Sequence, residues 1–553
     1  MDPAIIVSNN IQLQSPVLAG GRPRARGRLE EMRVLFASSE IAPLAKTGGL
    51  ADVSAALPKA LSEAGVDARV AMPGYTEALD RADGKQKAVP LGNILGLGEA
   101  AVIAARTPDT GIPLWLVDCP ALFRRQGGPY ADAEGRDWPD NALRFALFSH
   151  VVARLALGKA GANWRPHVAH VNDWHLGLVP ALLAAQPRPR PRTILTIHNL
   201  AFQGVFPMEV FPRLGLPSER LTADDIEFYG QVSFLKAGIR FADRLTTVSP
   251  TYAHEILTPE LGCGLDGLLR ERADNLVGIL NGVDYKCWTP DNPTALPFPF
   301  SARDLSGKRR CKVVLQDELG LGVDPDTPLI AFVSRLTHQK MADALPTAVP
   351  AIAVRGAQFA ICGEGDRSIE QALRALEAAY PRQVAVRIGY EEAMARRILA
   401  GADIFAAPAR FEPCGLTPMY AMRYGTVPVV RRIGGLADTV IGHGGGECSP
   451  KRKGTGFMFD PPTADGLTRA MDCALDLYRR PAVWRGIQRR AMRQDFRWIR
   501  SAQRYHALYA ELVQELRDET AGVRIAAETA PGVSTVENNA EMLSSPLQRG
   551  SGA

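Results

Sequence analysis

Cysteine is sparse in this chain and has no pattern. Eight cysteines stand among 553 residues, at 119, 263, 287, 311, 362, 414, 448 and 473. None forms a Cys-x-x-Cys pair, and no two have metal-ligand spacing. An even count permits disulfides, but a chain of this length needs no staples, so mostly reduced, buried thiols in a cytoplasmic protein are expected. A one-sided charge is lacking as well. Lys plus Arg number 64 and Asp plus Glu 59, a net +5, which gives no support to a nucleic-acid or membrane-surface partner. No apolar run is long enough to span a bilayer. The longest, 142–158, is interrupted by Arg144, His150 and Arg154 and reads as a buried amphipathic helix. The N-terminus carries Asp2 and a polar Ser-Asn-Asn run, without the charged and apolar regions of a signal peptide. Walker A, GxGxxG, HExxH and GxSxG patterns are all missing. The signatures of a P-loop ATPase, a dinucleotide enzyme, a zincin and a serine hydrolase are therefore absent. No metal and no cofactor is expected.

What the chain does have is alternation. Hydrophobic residues make up 46% and charged residues 22%, the balance of a globular protein with sizeable cores. Residues 1–30 end in an Arg- and Gly-rich run, and residues 519–553 lack apolar periodicity; both read as disordered tails. Between them, short β-branched runs alternate with helix-length patterns. Strands are predicted at 33–38, 66–72, 113–118, 167–171, 193–197 and 244–248. The connection 289–310 holds four prolines. The rhythm then restarts, with strands predicted at 329–334, 359–362, 384–388, 403–407 and 427–431. This is α/β architecture with parallel sheets covered by helices. The expected domains are 31–290 and 291–518, with a hinge near 290–300. An Arg-rich helical stretch, 481–517, closes the second; its packing partner is left open.

Open α/β sheets bind ligands at the carboxyl ends of their strands, and the informative loops follow strands. Lys46-Thr-Gly-Gly-Leu-Ala-Asp52 follows the first. Its glycines permit close backbone approach, and the helix that begins there offers N–H groups suited to phosphate. Locally it is also an ordinary Gly-rich turn. Arg335 and Lys340 stand five apart on the loop after the first strand of the second domain, where two cations can converge on a diphosphate or simply be solvated. Glu412 precedes a helix predicted to start near Gly415. It can accept from sugar hydroxyls, or merely favour the helix dipole, while Gly415, Leu416 and Thr417 can hold a phosphate. His170, His175 and His198 follow strands of the first domain, and nothing pairs them into a metal or nucleophile set. The pentapeptide Gly-Gly-Leu-Ala-Asp occurs twice, at 48–52 and 434–438. It reads as one local solution used twice rather than a duplication.

Together, KTGGLADV (46–53), NDWH (172–175), HNLAFQG (198–204), NGVD (281–284), SRLTHQK (334–340), RFEPCGL (410–416) and GGLADTV (434–440) resemble the bacterial glycogen synthases and plant starch synthases, in the same order. An eighth segment, 234–256, joins them, and the match runs from about 32 to 512. The resemblance implies a GT-B glycosyltransferase, with two Rossmann-like domains facing across a cleft and a C-terminal helical segment. It implies metal-free, retaining transfer of glucose from ADP-glucose to the non-reducing end of an α-1,4-glucan, in glycogen biosynthesis. It places Lys46 and Gly49 near the donor's phosphates or glucose, Asp52 and Tyr130 on the sugar and acceptor side, and Asp173, His198 and Asn281 around the glucose. Arg335 and Lys340 would hold the diphosphate, Glu412 would face the glucose hydroxyls, and Gly415, Leu416 and Thr417 would meet the distal phosphate and sugar. His198, Arg335, Lys340 and Glu412 are the implied catalytic set. Two positions depart from the pattern: Met341 stands where the family usually has Gly, and His338 where it often has Ser or Asp. The rival readings are another GT-B enzyme, such as a sucrose-phosphate or trehalose-type synthase or one using UDP-glucose, and a non-enzymatic glucan-binding or scaffold protein on the same fold. The motif order disfavours the first and the intact cations the second.

Overall fold

The computed structural model describes residues 31–161, 163–292, 296–389, 391–443 and 453–529. The segment 1–30 and the last part of the expected C-terminal tail, 530–553, lie outside the described residues. Two large sheets organise the remainder. The first has nine strands. Leu276–Gly278, Arg244–Thr247, Arg192–Ile197, Val168–Asn172, Arg33–Ala37, Asp67–Pro73 and Pro113–Asp118 lie side by side, all parallel. Glu99–Arg106 and then Val89–Asn93 extend the edge in antiparallel fashion. The second sheet has seven parallel strands, in the order Val384–Ile388, Gln358–Gly363, Leu329–Val333, Ile404–Ala407, Val427–Arg431, Gly456–Phe459 and Gly442–His443.

The central strands Val168–Asn172, Arg192–Ile197 and Leu329–Val333 are buried at every residue. Parallel strands covered by helices on both faces are mostly apolar, which is why these runs are visible in the sequence. The edge strand Val89–Asn93 is largely exposed and shifts register between Pro90 and Gly92. Its sequence therefore carries no such run. A small antiparallel sheet of Val205–Pro207, Gln231–Ser233 and Glu227–Phe228 is likewise short and half-exposed.

The helix Asn141–Ala156 is buried almost all round, including Arg144. That guanidinium donates to the carbonyls of Leu122 and Pro129, at 2.9 Å each, and to Asn141 Oδ1 at 2.7 Å. A buried cation is tolerable because these acceptors satisfy it, and it anchors the loop that carries Tyr130.

The C-terminal stretch departs from expectation in three ways. It is two helices, Pro481–Met492 and Trp498–Thr529. The second belongs with the first sheet rather than with the domain expected to end at 518. Trp498, Ala502, Tyr505, Tyr509 and Leu512 join the core built on that sheet, and Tyr509 Oη lies 2.6 Å from His170 Nδ1. The helix also runs eleven residues into the predicted tail. Glu519 accepts from Arg188 at 3.0 Å and pairs with Arg192 at 3.2 Å. Ion pairs hold this part, and an argument from apolar periodicity does not detect them.

Among the described residues six cysteines are free, four of them buried, with Cys263 and Cys287 exposed. Cys473 is disulfide-bonded. Among the described residues, no helix is long and apolar enough to cross a membrane.

Candidate active site

The loops after the strands of both sheets meet. On the first side the helix Gly49–Glu63 begins at the glycine pair. Beneath it lies Glu40, a buried carboxylate. It accepts from Thr47 N at 2.5 Å, Thr47 Oγ1 at 2.7 Å, Gly48 N at 3.2 Å and Tyr130 Oη at 2.6 Å. Glu40 thus fixes the Lys46–Gly49 turn from below. Tyr130 also bonds Ser39 at 2.8 Å, and its ring stacks on His175 with centroids 4.6 Å apart. Burial and the Glu40 charge hold its phenol well above the usual range. The Tyr130 hydroxyl, expected on the acceptor side, is committed to bracing this turn. Lys46 Nζ lies 2.7 Å from Asp52 Oδ1. Burial raises the Asp52 carboxyl and the lysine pulls it back down.

Asn172, Asp173 and His198 form a second group. Asp173 adopts a left-handed backbone, φ +57°, uncommon for a non-glycine residue. Its Oδ1 accepts from His198 N at 2.7 Å. Burial pushes its carboxyl up to about 7, against the backbone N–H bonds of His198 and Asn199. Asn172 Nδ2 donates to the Ala37 carbonyl at 2.8 Å, which fixes the amide's orientation. Asn172 Oδ1 therefore accepts from His198 Nε2 at 2.9 Å. Burial lowers the His198 imidazole to about 3. It is neutral at pH 7, protonated at Nε2, with Nδ1 left as an acceptor. His170 is a different case: both ring nitrogens are engaged, to Tyr509 and to Thr196 Oγ1 at 2.5 Å, so it is structural.

In the second half, consecutive residues of one loop meet consecutive residues of another. Gln339 Nε2 donates to the Phe411 carbonyl at 3.3 Å, and Lys340 Nζ donates to Glu412 Oε2. Arg335 Nη2 reaches Gln339 Oε1 at 3.1 Å. Lys340 thus faces the 410–417 loop, and Arg335 is tied to that junction through Gln339. Gly415 there has φ +77° and precedes the helix Leu416–Arg423.

Contacts cross between the halves, four residue pairs among them. Lys46 Nζ lies 3.5 Å from Glu392 Oε2. A β-carbon on Gly49 would stand 3.2 Å from Leu416 Cδ1. Glu255 Oε1 accepts from Gly434 N at 2.9 Å. Thr251 donates to Asp438 through N at 3.0 Å and Oγ1 at 2.6 Å. The second Gly-Gly-Leu-Ala-Asp is therefore a docking surface for the helix Pro250–Glu255. Asn281 precedes Gly282, whose Cα is so close to Trp498 that a β-carbon would lie 2.6 Å from the Trp498 Cα. The Asn281 Oδ1 atom is buried without a partner among the described residues, an acceptor of the kind a hydroxyl satisfies. Also among the described residues, no group of three His, Cys, Asp or Glu is placed to hold a metal ion.

The starch synthase catalytic domain family matches residues 33–271, and the glycosyl transferases group 1 family matches 318–490. The glycogen synthase of Burkholderia thailandensis is 51% identical over 508 residues, covering 90% of this chain and 95% of its own. That of Paramagnetospirillum magneticum is 52% identical over 484 residues, covering 87% and 98%. The chain belongs to the glycogen synthase family. Among solved structures, the catalytic domain of starch synthase IV from Arabidopsis thaliana, bound to ADP and acarbose, superposes with a TM-score of 0.79 at 30% identity. It covers 88% of this chain and all of its own. The fold is GT-B, with two Rossmann-like domains. A sucrose-phosphate synthase from Thermosynechococcus elongatus, at 18% identity and a TM-score of 0.54, shares that fold alone.

Within this glycogen synthase family member, Met341 adopts a left-handed backbone of the kind glycine favours, φ +54° and ψ +30°, with the side chain fully buried. Three residues of the site escaped sequence reasoning. Glu40 had one signal, a carboxylate at the carboxyl end of the first strand. Asn172 was hidden inside the motif read for Asp173. Glu392 had none, because only the meeting of the halves brings it to Lys46.

Proposed function

We propose that this chain is a glycogen synthase: a retaining hexosyltransferase that moves glucose from ADP-glucose to the non-reducing 4-hydroxyl of an α-1,4-glucan, in the cytoplasm. The observation that carries the reading is the meeting of the two Gly-rich turns. Gly49 abuts Leu416, with Lys46 on one side and Lys340 on the other. A nucleotide-sugar lying across that junction has its diphosphate against Arg335, Lys340 and the N–H groups at Gly415–Thr417. Its glucose lies among Asp173, His198, Asn281 and Glu412. Residues 31–290, joined by the helix from Trp498, form the acceptor side, and residues from 291 the donor side.

The reaction breaks the bond between the anomeric carbon and the β-phosphate oxygen. It forms one to the acceptor O4 on the same face. The acceptor proton passes to the departing phosphate oxygen, giving ADP and a glucan one glucose longer. Two observations favour this route over a covalent glycosyl-enzyme. The Asp173 carboxyl accepts from backbone N–H and is raised to about 7, so it is largely engaged and only partly ionised near neutral pH. Glu412 is paired with Lys340. The protein's part is electrostatic: cations and N–H donors meet the charge growing on the diphosphate. Neutral His198 offers Nδ1 to a glucose hydroxyl.

Donor competition tests the reading. With glycogen as acceptor and equal ADP-glucose and UDP-glucose, each carrying a different glucose isotope, label from ADP-glucose should dominate the polymer. Preferential use of UDP-glucose, or no incorporation from either, contradicts it.

A further inference from the structure

A cavity of about 740 Å³ lies in the second half, bordered by Pro328 and Asp403. Each of these precedes a strand of the second sheet. The cavity is therefore at the opposite sheet edge from the Arg335 and Glu412 loops, which follow the same strands. Its wall is strongly basic. Much of that charge is already balanced. Arg309 pairs with Asp326 at 2.7 Å, Lys312 with Asp403 at 2.6 Å, and Arg355 with Asp472 and Asp476. Three wall residues differ: among the described residues, the guanidinium groups of Arg303, Arg485 and Arg489 make no hydrogen bond or ion pair. Arg485 and Arg489 are one turn apart on the helix Pro481–Met492, where like charges repel. Trp484, 4% exposed, also borders the cavity and packs its ring against Tyr478 and Phe457. Tyr478 and Leu475 give the cavity an apolar side.

We propose that this cavity is a binding site for a small phosphorylated molecule, held by Arg303, Arg485 and Arg489. Guanidinium forks match phosphate oxygens bidentately. An anion between Arg485 and Arg489 removes their repulsion. The volume falls within the range of small-molecule sites, and the aromatic side accommodates an organic portion. The chemistry is clustered phosphate oxygens, supplied by a polyphosphate or by a phosphate monoester.

Calorimetric titration of the full chain tests this, with ADP held at saturation so that the diphosphate-binding loops are occupied. Tripolyphosphate and glycerol 2-phosphate are the probes for the two sources. At least one of them should bind at one site per chain. The combined Arg303→Ala, Arg485→Ala and Arg489→Ala variant should weaken that binding at least about tenfold, and Arg335→Ala should leave it unchanged. All three arginines are exposed, so the variant should melt with wild type. If it does not, Arg485→Glu alone is titrated against the same tenfold expectation. Absence of binding by both probes up to about 10 mM, retention of affinity in the cavity variant, or loss of binding in Arg335→Ala each overturns the proposal.

Discussion

Lys340 and Glu412 form an ion pair across two loops of the second half, although the proposed reaction uses them on different parts of the donor. The ammonium is assigned to the diphosphate and the carboxylate to the glucose. Each therefore presets the other's position before substrate arrives, and Lys340 must be shared when the diphosphate binds.

That sharing makes the two residues energetically inseparable. Lys340→Ala and Glu412→Ala should each raise the barrier by about 2–4 kcal/mol. The double variant should fall short of the sum by about 0.5–3 kcal/mol. Steady-state kinetics on the four proteins measure this, and strict additivity would show that the pair is incidental. If Glu412 only complements the helix dipole, its removal costs roughly 0.3–1 kcal/mol of stability and leaves turnover intact.

Met341 combines a left-handed backbone with a buried side chain. The conformation costs an ordinary residue about 1–2 kcal/mol, while emptying a buried methionine site costs about 2–5 kcal/mol. Packing outweighs strain, so Met341→Gly should lose on the order of 1–3 kcal/mol of stability. Met341→Leu keeps the volume and should lose less than about 1.5 kcal/mol. Chemical denaturation distinguishes them. A more stable glycine variant would show that strain dominates here.

Asp173 gives a pH signature. Its carboxyl is raised from 3.8 to about 7 by burial, so the folded protein holds the proton more tightly than the unfolded chain. The resulting stability is fully present below about pH 3.8 and is lost as pH rises through 7. Asn cannot ionise and keeps an oxygen to accept from His198 N. The melting temperature of Asp173→Asn relative to wild type should therefore climb between pH 5 and pH 8. A flat or falling difference would mean that Asp173 is ionised across that range.

The helix Trp498–Thr529 should stabilise the first half without touching the chemistry. Tyr509→Phe leaves the buried His170 Nδ1 without its partner and should cost about 1–3 kcal/mol of stability. Turnover at 25 °C should stay within about twofold of wild type. A large fall in turnover with unchanged melting would place this helix in the catalytic machinery.

The sequence made the central strands plain because parallel strands buried on both faces are continuous apolar runs; Leu329–Val333 is an example. Val89–Asn93 was illegible because an exposed, bulged edge needs no such run. The loops of the site were legible through their glycines and charges. Rank among similar residues was not. His170 and His198 both follow strands, and only their partners separate a structural imidazole from one with a free acceptor. Glu40 reads as an ordinary acid until four hydrogen bonds show it bracing the Lys46 turn. Which sheet the last helix covers is a matter of tertiary packing, carried by Tyr505 and Tyr509 meeting His170, and no local pattern encodes it.

The central claim is that Arg335 stabilises negative charge growing on the departing diphosphate. It is measured most directly by the kinetics of glucose transfer from ADP-glucose to glycogen in Arg335→Ala, alongside direct ADP-glucose binding. Because the charge is larger in the transition state, the loss should fall mainly on kcat, at about 2–4 kcal/mol of barrier, with binding weakened far less. Arg335→Lys should not restore the rate, since an ammonium lacks the guanidinium fork. A raised KM with kcat intact would contradict the account and reduce Arg335 to a ground-state contact.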